Sequence, residues 1–96
     1  MIGKIRRLVL DVLKPIEPNI VDLAKKISVL EGISAVNISI AEIDHKVENA
    51  KITIEGDDLD FNTVAELIKY EGGTIHSIDE VVAGKMIIDD AATLQD

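Results

Sequence analysis

The sequence predicts an α+β sandwich of the ferredoxin-like type, in which a four-stranded antiparallel sheet carries two helices on one face. Three observations lead there. Two stretches repeat apolar residues at helical spacing, four others alternate apolar and polar residues, and their order along the chain is strand, helix, strand, twice over. Right-handed crossovers then put both helices on the same side of the sheet and leave the other side bare.

The first strand spans residues 5–13, with Leu8, Leu10 and Val12 facing inward and Arg7, Val9, Asp11 and Leu13 outward. Pro15 and Pro18 interrupt the ladder and lead to Asn19, a helix cap. Ile20, Leu23, Ala24, Ile27 and Leu30 then mark the buried stripe of a helix over residues 20–30, which Gly32 ends by adopting a left-handed conformation. The second strand runs from Ser34 to Asp44, with Val36, Ile38 and Ile40 inward and Asn37, Ser39, Ala41 and Ile43 outward. A hairpin at Asp44, His45 and Lys46 returns the chain to a third strand, where Ala50, Ile52 and Ile54 restart the inward pattern and Lys51, Thr53 and Glu55 face out. Residues 56–60 read as a polar turn, with Asp60 capping a helix built on Phe61, Val64, Ala65, Leu67 and Ile68. Gly72 and Gly73 stop it. The last strand begins near Thr74 and continues to Ala83; Ile75 and Ile78 are an odd number of residues apart, a slip that a β-bulge absorbs. The faces taken by Asp79 and Glu80 stay open at this stage.

The 96 residues suffice for a single modest core, expected over 1–90 with 91–96 as a tail. Phe61 and Tyr70 are the only Phe, Tyr or Trp residues, so the core is aliphatic and stacking platforms for nucleic-acid bases are nearly absent. Eighteen acidic against ten basic side chains give a net charge of −8. That field repels a phosphate backbone and favours cations or basic partners, which argues against nucleic-acid binding. With no cysteine, disulfides, thiolate metal sites and a cysteine nucleophile are excluded. No apolar run reaches bilayer length and residues 1–14 lack a signal-peptide pattern, so the expected setting is cytoplasmic, without a membrane partner.

The acidic residues are the main chemical candidates. Asp11, Glu17, Glu42, Asp44, Glu48, Asp79 and Glu80 lie near strand ends and connections, where oxygen ligands from separate segments converge on calcium or magnesium if they form a site, and the five carboxylates Asp11, Glu42, Asp44, Asp79 and Glu80 are the preferred set. The competing reading is a set of solvated carboxylates, the usual state of such groups in an acidic domain. Residues 56–61, GDDLDF, lack the ligand order of a calcium loop, so Asp57 and Asp58 read as turn residues. His45 and His76 fall on different elements, and no serine, histidine and acid set or phosphate-binding glycine loop is present. Lys4, Arg6 and Arg7 form a short basic cluster better suited to local ion pairs than to nucleic acid.

The stretches VLDVLKPIEPNIVDLA (9–24), ITIEGDDLDF (52–61) and GGTIHSIDEVVAGK (72–85) resemble the archaeal domain of unknown function family 211. That resemblance implies a small ferredoxin-like protein that forms homo-oligomers, without an established catalytic reaction, and it transfers no catalytic role to any residue. The resulting expectation is a homo-oligomeric, non-enzymatic binding or structural module. Val9, Leu13 and Ile43 are its interface candidates, and the five carboxylates named above are its candidates for a divalent cation. The alternative is a regulatory module that holds a small molecule between subunits.

Overall fold

A computed structural model describes residues 2–44 and 46–89. The elements follow in the expected order: β1 Ile5–Pro15, α1 Ile20–Ser28, β2 Ile33–Ile43, β3 Val47–Gly56, α2 Phe61–Tyr70 and β4 Thr74–Ala83. All strand pairs are antiparallel, in the spatial order β2-β3-β1-β4. The two crossovers that skip a strand carry the helices, so the fold is ferredoxin-like.

The core lies between the sheet and the helices. Leu8, Leu10 and Val12 of β1 and Ala50, Ile52 and Ile54 of β3 meet Leu23 and Ile27 of α1 and Val64 and Ile68 of α2, all buried. Each fully buried aliphatic side chain of this kind contributes about 1.5–3 kcal/mol, so the two central strands and the two helical stripes hold the fold together.

Both helices start on side-chain caps. Asn19 accepts a hydrogen bond from the Asp22 amide at 2.9 Å, and Asp60 accepts from the amides of Asn62 and Thr63. These acceptors satisfy backbone donors that have no partner in the first turn. The first helix ends at Ser28, two residues before the apolar stripe does. Leu30 lies past the helix end and still packs on the core, because its amide bonds back to the Ile27 carbonyl at 3.1 Å. Gly32 follows with φ of 87°, the left-handed turn that its sequence position predicts.

Two core features depart from the sequence pattern. Leu59, in the turn that reads as polar, is 3 % exposed and belongs to the core cluster. It precedes the Asp60 cap, and Val64 stands four places beyond that cap, so the two sit where a hydrophobic staple places its pair. Lys14 continues the inward row of Leu8, Leu10 and Val12 and is only 2 % exposed.

Register corrects one face assignment. Ile40 pairs with Ala50, but Glu42, not Ala41, pairs with Asn49, so β2 carries an extra residue there. Beyond this bulge the alternation inverts, because one unpaired residue shifts every following side chain to the opposite face. Ile43 pairs with Glu48, which in turn faces Lys14 on the helix side. It therefore does not share the uncovered face with Val9 and Leu13, although it is 68 % exposed.

The expected slip in β4 takes the form of two shifts. Val12 pairs with Ile75, Asp11 with Ser77, Leu10 with Ile78 and Val9 with Glu80, which leaves His76 and Asp79 as the extra residues. Glu80 lands on the uncovered face opposite Val9. The hairpin residue His45 and the tail 91–96 lie outside the described residues.

Candidate functional site

The uncovered sheet face is the candidate site. Across it from β2 to β4 run rows set by strand register: Ala35, Glu55, Arg7, Val82; then Asn37, Thr53, Val9, Glu80; then Ser39, Lys51, Asp11, Ser77. Small uncharged side chains occupy the β2 side and charged ones the middle.

Arg7 organises the charged part. Its Nε donates to Glu55 Oε2 at 2.7 Å, and its terminal nitrogens reach Glu80 Oε1 and Asp89 Oδ1, each at 3.4 Å. The hydrogen bond to Glu55 is the main reason that the guanidinium is held above its ordinary pKa, with Glu80 and Asp89 adding to it. One arginine thus ties β3, β4 and the segment after β4 to β1. Neighbouring Arg6 donates to the carbonyls of Gly56 at 3.1 Å and Lys85 at 2.7 Å and lies 3.6 Å from Asp57. Lys4 approaches the same Asp57 at 3.7 Å, so the basic cluster serves local ion pairs.

The carboxylates expected to hold a cation are distributed. Asp11 accepts a hydrogen bond from the Asn49 side chain, and Glu42 pairs with Asn49 from the other side. Asp79 accepts from the Ser77 hydroxyl at 2.7 Å. Asp79 and Glu80 do come together, lining a hollow of about 310 Å³ with Val9 and Lys51. An ammonium group and the Arg7 contact to Glu80 accompany that pair. Asp44 sits at the β2–β3 connection, where its amide bonds to the Val47 carbonyl at 2.9 Å. Among the described residues no group of three or more acids or histidines is arranged to hold a metal ion. His76 stands at a bulge on the exposed edge of β4.

A second hollow of about 480 Å³ lies over Ala35, Asn37, Ser39, Lys51, Thr53 and Glu55. Its lining mixes Asn37, Ser39, Thr53 and the charged Lys51 and Glu55 with Ala35 and Val36 and holds no aromatic side chain, unlike the mainly apolar and aromatic lining of small-molecule pockets. Of the interface candidates, Val9 is 7 % exposed and filled in by its neighbours, and Leu13 is 38 % exposed at the end of β1.

Sequence reasoning missed the buried ion pair at the opposite end of β1. Lys14 Nζ donates to Glu48 Oε1 at 2.7 Å and to the carbonyl of Pro15 at 2.6 Å, with Ile16 O at 3.4 Å. The signal was available: position 14 continues an inward row, and a lysine there needs an anion and carbonyl acceptors. On the helix side, Lys26 of α1 donates to Glu71 at 2.9 Å, which raises its pKa and ties the two helices.

These features define a small ferredoxin-like α+β domain in which one sheet face, internally ion-paired, is covered by no helix among the described residues. Residues 6–96 match the model of the DUF211 family, described as "Uncharacterized ArCR". An uncharacterized protein of Methanocaldococcus jannaschii is 59 % identical over 92 residues, covering 96 % of this chain and 95 % of the relative. The chain belongs to this archaeal family. Among the described residues no helix is long and apolar enough to cross a membrane.

Proposed function

We infer that this protein is a homo-oligomeric module whose copies meet through the bare sheet face. The observation that carries this reading is the pairing of charges within that face. Arg7 is already matched by Glu55, Glu80 and Asp89, and Asp11 by Asn49. Covering charges that keep their partners costs less than covering lone ones, and the small side chains of Ala35, Asn37, Ser39 and Thr53 allow another sheet to approach closely. Leu13 adds apolar area at one end.

A divalent cation enters this reading only across copies. Calcium takes six to eight oxygen ligands, and Asp79 with Glu80 supplies too few from a single chain. Equivalent carboxylates from neighbouring copies complete such a set, which makes cation binding a consequence of assembly.

Native mass of metal-stripped protein, measured before and after adding calcium or magnesium at constant ionic strength, tests both parts. The expected result is an oligomer that Leu13→Arg or Thr53→Arg reduces to monomer, with stoichiometric metal uptake that Asp79→Asn diminishes. A monomer under every condition overturns the reading. An oligomer that binds no metal removes the cation and keeps the assembly.

A further inference from the structure

We propose that the end of the sheet where β1 begins and β3 and β4 finish is a binding site for a phosphate group, either free or carried by a small phosphorylated molecule. Three cations converge there. Lys4 precedes β1, Arg6 lies within it and Lys85 follows β4. They line a hollow of about 550 Å³ together with a single carboxylate, Asp57, just past β3. In a chain of net charge −8, this hollow therefore keeps two positive charges in excess. The site needs one copy of the chain and does not rest on association.

Arg6 is fixed without being neutralised. Its Nε donates to the Gly56 carbonyl at 3.1 Å, and its Nη1 donates to the carbonyls of Lys85 at 2.7 Å and Gly84 at 3.4 Å. Carbonyl acceptors hold a guanidinium in place and leave its charge uncancelled. Arg7, Lys14 and Lys26, by contrast, each donate to a carboxylate. The Nη2 of Arg6 stands 3.6 Å from Asp57, beyond hydrogen-bond length, so it still has protons to donate. Lys4 stands 3.7 Å from the same carboxylate, which is itself 73 % exposed. Among the described residues no carboxylate comes within ion-pair distance of Lys85. The Gly84 amide donates to the Lys4 carbonyl at 2.9 Å, which ties the two lysine-bearing walls of the hollow together.

Charge balance selects the ligand. With Asp57 already counted, two positive charges remain, close to the opposite of a phosphate monoester at neutral pH. A planar guanidinium beside two ammonium groups suits a group that presents three terminal oxygens. The volume falls within the range of small-molecule sites, and the acidic field of the whole chain turns away polyanions such as nucleic acid.

Titration of the protein with inorganic phosphate and, separately, with glycerol phosphate at about pH 7.5, where both are mostly dianionic, tests the site by calorimetry and heteronuclear NMR. Saturable shifts of the Arg6 Nε–H and of the Gly84 and Lys85 amides are expected with both probes, and the tighter one identifies the source of the phosphate. Lys85→Glu is expected to weaken binding about tenfold and Asp57→Asn to tighten it about fivefold, the scale of one close, solvated charge. Lys25→Glu on α1 and Asp58→Asn, outside the hollow, change the net charge identically and are expected to alter binding little. All four side chains are exposed, so the variants keep the fold. The absence of saturable shifts at those atoms with either probe overturns the proposal, as do controls that act as strongly as Lys85→Glu and Asp57→Asn.

Discussion

Lys14 shows how a single side chain can be held inside an aliphatic core. Its ammonium is surrounded by Glu48 and two carbonyls, while the Glu48 side chain keeps 15 % of its surface in water. The two partners are therefore unequal. Removing the carboxylate strands a charge that is 2 % exposed, whereas removing the ammonium leaves a carboxylate with access to solvent. Glu48→Ala is expected to cost about 3 kcal/mol, as for other broken buried pairs. Lys14→Met is expected to cost clearly less, since an apolar side chain of similar length suits the row of Leu8, Leu10 and Val12. Urea unfolding of both variants checks the order, and equal losses would show that the pair acts only through packing.

At the scale of elements, close approach and register matter more than propensity. Gly56 ends β3 against the loop after α1, where a β-carbon would stand 2.0 Å from the Gly32 carbonyl oxygen and 2.7 Å from the Leu59 side chain. The same carbonyl accepts the Asp57 amide at 3.2 Å, so it is not free to withdraw. Gly56→Ala is thus expected to destabilise by about 3 kcal/mol, the upper part of the range for overpacking. Gly3→Ala, with nothing within 4 Å of the added carbon, is the control and is expected to leave the thermal midpoint unchanged. The strands repeat the lesson in another form. In β4, two unpaired residues convert a two-residue alternation into a spacing of three, placing Ile75, Ile78 and Val81 opposite Val12, Leu10 and Leu8. The odd spacing of Ile75 and Ile78 is visible in the sequence, but the partner strand decides which residue is left out.

For the whole molecule, net charge opposes the association proposed for it. Interaction between exposed like charges is screened over roughly 10 Å at 0.1 M salt and over a shorter distance above that. Raising sodium chloride is therefore expected to shift the sedimentation of this protein toward the oligomer. A shift toward monomer would mean that intermolecular ion pairs, not the small side chains of the sheet face, hold the copies together.

The sequence by itself determined the order of elements, the caps at Asn19 and Asp60, the left-handed Gly32 and the inward rows of β1 and β3. These are local properties, governed by side-chain period and by the backbone freedom of a few residues. Composition likewise settled that the core is aliphatic and that Lys4, Arg6 and Arg7 have acids to meet. Tertiary structure alone decided which acids those are, that Glu48 neutralises Lys14, and that Leu59 turns inward from a polar loop. It also moved Ile43 off the face of Val9 and Leu13, and it set Asp79 and Glu80 beside Lys51 and Val9 around one hollow. Such facts depend on partners distant in sequence and on single-residue shifts of register, to which the alternation pattern of an isolated strand is blind.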